Sequence, residues 1–238
     1  MKDERTVSAA VLGGLLAIGL VAAGAQMARA VRDVKAAGRY VTVRGLSERE
    51  VPANLAMWPI VHGVTGSDLA RVQADLDAAT AKIETFLERR GFEDAEISVS
   101  SPRVTDFEAS GVRGADRPVF RYAAQATMTL RSTKIAEAKS AIKAAGELVA
   151  SGVALTSGYG SEPTFSFTAL DAIKPAMIAE ATKDARRAAE QFANDSGSRV
   201  GVIRSAQQGY FAIEDRDAFS PDVKKIRVVT TVEYFLED

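Results

Sequence analysis

The sequence predicts an α+β domain of two related halves, each a hairpin, a long helix and a second hairpin, joined by a short helix. The helices pack on antiparallel sheet, and an N-terminal hydrophobic helix precedes the domain. Three observations carry this prediction. Two long segments, residues 67–90 and 170–199, repeat apolar residues at three- and four-residue steps. The segments around them alternate apolar and polar residues, as half-buried strands do. One run, residues 7–25, carries no charge at all.

That run comes first. A cleavable signal core has about 7–15 apolar residues and a bilayer span about 20. Residues 7–25 therefore read as an uncleaved anchor, with Ala28-Arg29-Ala30 as the alternative, a cleavage site ending at Ala30. Lys2 and Arg5 precede the run, and Arg29, Arg32, Lys35 and Arg39 follow it. Basic-residue counting alone keeps the following domain in the cytoplasm, whereas Ala28-Arg29-Ala30 points to export. The organisation is then a signal anchor or signal peptide (1–25), a tether (26–38) and the domain proper (39–238), with halves at about 39–131 and 152–238.

The domain opens with the alternating Tyr40-Val41-Thr42-Val43-Arg44, which Gly45 interrupts. Residues 55–64 form a second strand, held to an edge or a bulge by Pro59. Thr65 and Asp68 stand at capping-box spacing, with Ser67 as the alternative cap. The helix that follows buries Leu69, Val72, Leu76, Ala79, Ile83 and either Phe86 or Leu87, and Gly91 stops it. Residues 97–105 and 119–131 pair across a charged loop, 106–118. A shorter helix, about 133–149, turns Ile135, Ala138, Ile142, Ala145 and Val149 inward.

Another hairpin follows, 153–159 with 164–168 around Gly160. The second long helix has Leu170, Ile173, Met177, Ala181, Ala185, Ala188, Phe192 and Ala193 as its stripe, with Pro175 in the first turn. Small side chains let a helix axis lie close to a sheet. Strands 200–211 and 225–236 close the chain, joined by a second long charged loop, 212–224.

Residues 39–236 resemble the SIMPL-domain family, bacterial envelope proteins of largely unknown function. The residues that carry the resemblance are Val41-Thr42-Val43-Arg44-Gly45, Glu180-Ala181-Thr182-Lys183-Asp184-Ala185-Arg186-Arg187-Ala188, and Gly197 with Val200-Gly201-Val202-Ile203. The resemblance implies an exported α+β domain of two related halves, in a family some of whose members assemble into large rings. It brings no catalytic residues with it. Where the family commonly has a Pro-Asp step entering the second strand, this chain has Pro52-Ala53-Asn54.

Composition excludes several chemistries. The chain of 238 residues has no cysteine, so thiolate catalysis, disulfides and cysteine metal sites are absent together. A formal net charge of −1, with acids and bases interleaved along both long helices, argues against nucleic acid as a partner. His62 is the one histidine and reads as a strand residue rather than a ligand or base. Gly158-x-Gly160 reads as a turn, and Glu214-Asp215-Arg216-Asp217 lacks the glycine and distal Glu of a calcium loop. The acid pairs Asp94 with Glu96, and Asp106 with Glu108, stand at strand and loop ends where charges face water. No catalytic, cofactor or metal residue is assigned.

The two long loops are different. Phe107 in the first, with Phe211 and Phe219 at the second, place aromatic residues amid charge and are the expected partner contacts. The expected protein is a non-enzymatic component of the cell envelope that works by self-association or partner binding. Residues 7–25 would hold it to the inner membrane, with the domain in the periplasm, or it would be soluble there after cleavage near Ala30. Two alternatives stand beside it: a periplasmic binding module for a small apolar or lipid ligand, and an enzyme with a carboxylate-based site.

Overall fold

A computed structural model of the chain describes residues 13–29, 38–110, 118–158 and 160–237. Helix α1 (13–29) comes first, exposed along its whole length. The first residues of the apolar run, 7–12, lie outside the described residues. Among the described residues no helix is long and apolar enough to cross a membrane.

The remaining chain is α+β, with helices on antiparallel sheets. Strands β1 (Tyr40–Pro52) and β2 (Leu55–Gly66) lead into α2 (Leu69–Glu88), a single 3-10 turn (Asp94–Glu96), β3 (Ile97–Val99), β4 (Arg103–Asp106) and β5 (Tyr122–Ser132). Then come α3 (Ile135–Lys143), α4 (Gly146–Ala150), β6 (Thr164–Ser166), α5 (Leu170–Asp195), β7 (Arg199–Gln208), β8 (Ala212–Asp215) and β9 (Val223–Glu237). Two compact units divide these elements. One takes Met1–Glu48, Lys174–Phe211 and Arg227–Asp238; the other takes Arg49–Ile173 and Ala212–Ile226.

The second of these units holds a five-stranded sheet, in the order β3-β5-β2-β6 with β4 also on β5. The register of β2 on β5 sets Trp58 against Leu130, Ile60 against Met128 and His62 against Ala126. Because side chains alternate along a strand, these even-numbered residues share one face. They are buried together with Ala79, Ile83, Phe86 and Leu87 of α2. Each large side chain so covered contributes about 1.5–3 kcal/mol. The α2 stripe follows its expected spacing from Val72 onward, while Leu69 stays exposed in the first turn.

Asp68, not Thr65 or Ser67, caps α2: its carboxylate accepts the Arg71 N–H at 2.8 Å. Gly91 adopts φ +86° just past the end, where a left-handed residue closes the last turn. The expected 133–149 helix is two helices, α3 and α4. The break at Ala144 and Ala145, before Gly146, shifts the phase, so Leu148 is buried and Val149 is exposed. Segment 97–105 is likewise interrupted, since Pro102 has no N–H to give. Beside the break, the Ser100 hydroxyl accepts the Thr127 N–H at 3.0 Å. Segments 153–159 and 164–168 do not pair as one hairpin. β6 pairs with β2 at Leu55–Met57, and Leu155 bridges to His62.

The other unit carries β1, β9 and β7, adjacent in that order, under α5. β1 therefore does not pair with β2, the neighbour the sequence suggested; its partner is β9, near the far end of the chain. Met177, Ala181, Ala185, Ala189 and Ala193 form the buried stripe of α5, at strict four-residue steps. Ala188 and Phe192, expected inside, are exposed. Four residues turn a helix by about 40° more than one revolution. Such a stripe winds slowly round the axis and so follows the twist of the sheet below it. Val41, Ala185, Ala189, Val232 and Tyr234 form the core of this unit. Pro175 lies in the second turn of α5 rather than the first. The Asp171 carbonyl thus has no helical donor, and it lies at an exposed position that water reaches.

Candidate functional site

The three aromatic residues singled out by the sequence fall in different surroundings. Phe107 follows β4, half-buried, and packs edge-to-face on Phe120 with ring centroids 5.7 Å apart. Its N–H donates to the Arg121 carbonyl at 2.9 Å. Arg121 in turn grips Asp106 through two nitrogens and reaches Glu108 at 2.8 Å. The described start of this loop is thus a knot of its own, and residues 111–117 lie outside the described residues. Phe211 is half-buried, with the Lys174 ammonium 6.0 Å from its ring centre. Phe219 is 97% exposed. Among the described residues no ring contact joins any two of the three.

The acid pairs are held by neighbours. Arg121 and the Glu108 and Ala109 amides keep the Asp106 carboxyl well below its usual range, at about 2. Glu96 bonds to the Ser132 hydroxyl and the Lys134 ammonium, and its pKa is lowered although burial opposes the shift. Asp94, its partner in the pair, sits in the single 3-10 turn Asp94–Glu96. Among the described residues no three His, Asp or Glu side chains converge on a metal position.

His62 is fully buried between β2 and α2. Its Nε2 lies 2.9 Å from the Thr80 hydroxyl and its Nδ1 3.3 Å from the Ile60 carbonyl. The Thr80 hydroxyl donates to the Leu76 carbonyl at 2.9 Å, so toward the ring it accepts from Nε2–H. Burial pushes its pKa down, against the Ile60 carbonyl. The ring is a packed core residue.

An open trough occupies the face of the five-stranded sheet opposite α2. Arg103 of β4 stands opposite Gln125 of β5, which stands opposite Gly63 of β2. Thr105, Ala123 and Thr65 form the next row, and Thr127 faces Val61. Residues 154–158 close the far side, where the Thr156 N–H donates to the Val61 carbonyl at 2.8 Å. Two adjoining hollows, of about 470 and 380 Å³, share Arg103, Gln125 and Thr156. Arg103, Gln125, Thr127 and Thr156 supply the polar groups of this lining. The layer between α2 and its sheet is filled by Leu76, Ile83, Phe86, Met128 and Leu130. Sequence reading missed the trough because four separate segments build it.

The last feature is an edge. β7 ends the path β1-β9-β7 and is paired on one side, to β9. Its register with β9 shifts twice, between Val200 and Ile203 and between Ile203 and Ser205. An extra residue at each bulge turns neighbouring side chains to the same side. Val202 is 70% and Ile203 50% exposed, and Tyr210 just beyond is 99% exposed.

The model of the SIMPL family, described as a protein of unknown function (DUF541), matches residues 41–234. The chain belongs to the SIMPL family. The match runs from β1 almost to the end of β9, so the SIMPL domain takes in both compact units. No curated protein matches the chain.

Proposed function

We propose that this SIMPL protein is a non-enzymatic component of the cell envelope that works by self-association, pairing the β7 edge of one copy with that of another. The exposed edge is the observation that carries this reading. A strand open on one side offers a row of unused backbone donors and acceptors. Val202, Ile203 and Tyr210 put apolar surface beside it. Antiparallel pairing of two such edges is self-complementary, as a two-fold interface requires.

The address follows from the amino end. Leu15, Leu16, Ile18, Leu20 and Val21 of α1 are all exposed, an arrangement suited to lipid. Residues 7–25 would then anchor the chain in the inner membrane, with the SIMPL domain in the periplasm. Cleavage near Ala30 would instead release it there.

The test of self-association is the mass of the full chain in detergent, by light scattering, for the native protein and for Val202→Lys/Ile203→Lys. Both positions are solvent-facing, so the fold survives and circular dichroism is unchanged. A native oligomer that the double variant reduces to monomer supports the reading. A native monomer at every concentration, or an oligomer indifferent to both lysines, overturns it. Protease protection of spheroplasts, with mass analysis of the amino terminus, tests the address separately.

A further inference from the structure

The geometry points to the trough over β4, β5 and β2 as a binding site for a small hydroxylated anion, a carboxylate or phosphate carried on a sugar or polyol. Arg103 is the one charged side chain among the described residues that line it, and no carboxylate faces it there. Among the described residues the Arg103 guanidinium makes no ion pair. The Gln125 amide and the Ser101, Thr127 and Thr156 hydroxyls likewise make no side-chain hydrogen bond.

A planar guanidinium with no neutralising partner among the described residues matches the two oxygens of a carboxylate or phosphate. The amide and hydroxyls around it donate and accept, which suits the hydroxyl groups of a polyol. The floor is low because Gly63 and Ala123 stand beside Gln125. A Cβ on Gly63 would come within 3.0 Å of the Ala124 carbonyl. Ser161 shapes the rim instead of binding: its hydroxyl accepts the Gly158 N–H at 2.8 Å and donates to the Gly158 carbonyl at 2.7 Å. A hollow of about 470 Å³ falls in the range of small-molecule sites. The trough and the β7 edge share no residue, so either inference can fail without the other.

The experiment is calorimetric titration of the full chain with glucuronate, inorganic phosphate and glucose at matched ionic strength. Saturable binding of at least one anion, with none of glucose, is the expected result. Arg103→Gln lowers that affinity at least about tenfold, the loss of a charge-assisted hydrogen bond. Thr156→Val lowers it less. Preference for glucuronate or for phosphate identifies which anionic group the arginine takes. Absence of saturable binding by either anion up to roughly 10 mM, a concentration at the weak end of measurable affinity, overturns the assignment. So does an Arg103→Gln protein that circular dichroism shows folded and that binds as the native chain does.

Discussion

Gly45 of β1 lies directly under the backbone of α5, so close that a Cβ there would overlap the Ala181 carbonyl oxygen and the Ala185 amide nitrogen. The same helix fastens the strand from above. Asp184 accepts the Leu46 N–H at 2.9 Å, and Glu180 accepts the Ser47 hydroxyl at 2.9 Å. Gly45→Ala therefore forces strand and helix apart and lowers stability by about 3 kcal/mol or more, read from the urea midpoint. A loss below about 0.5 kcal/mol would mean that the close approach does not exist.

Asp68→Ala removes the carboxylate that accepts the Arg71 N–H, leaving an orphan donor in the first turn of α2. The expected cost is about 1 kcal/mol, seen as a lower melting temperature. Ser67→Ala, at the neighbouring alternative, leaves the melting temperature where it was.

His62 makes stability depend on pH. Its folded pKa lies below the usual 6.5 because burial disfavours the charged ring. The unfolded chain thus takes up the proton more readily than the folded one. The contribution of this group is complete above about pH 6.5 and is lost as pH falls through the window beneath it, by at most about 1.4 kcal/mol per pH unit. Urea midpoints between pH 7.5 and 5 decline for the native protein, while His62→Gln gives a flatter line. Parallel lines would mean that the imidazole does not titrate differently on folding.

Asp106 owes its low pKa first to Arg121, with the Ala109 and Glu108 amides adding to it. Arg121→Gln raises the Asp106 pKa from about 2 toward the usual carboxylate value of 3.8, as followed by NMR titration. An unmoved pKa would shift the credit to the loop amides.

The aromatic residues part company under substitution. Phe107→Ser loses the ring contact with Phe120 and costs about 1 kcal/mol, whereas Phe219→Ser changes stability by less than about 0.5 kcal/mol. Equal effects would contradict the surroundings described for the two rings.

Local patterns in the sequence reach as far as the elements themselves. Both long helices and the Val72–Leu87 stripe of α2 are legible in consecutive residues, whereas along α5 the mixed three- and four-residue period points to Ala188 and Phe192 where the structure buries Ala189. Which strand pairs with which is not legible. β1 alternates like any strand, and nothing in Tyr40–Pro52 reveals that its neighbour is β9 rather than β2. The split of α3 from α4 hides behind Ala144 and Ala145, good helix formers that carry the expected period straight through the break. Asp68 holds the cap from an extended backbone position, with its carboxylate on the Arg71 N–H, a placement that residue types alone do not reveal. The trough is the extreme case: Arg103, Gln125, Gly63 and Thr156 come together only through strand register.

Pairing of β7 edges is most directly tested by amide hydrogen exchange of the full chain at Ser205–Gln208, compared between concentrated and dilute samples. In this stretch the register with Glu233–Thr230 is regular, so inward amides are protected throughout. The account predicts that the outward amides are protected when the chain is concentrated and exchange fast on dilution. An oligomer whose outward β7 amides exchange fast at every concentration would contradict it.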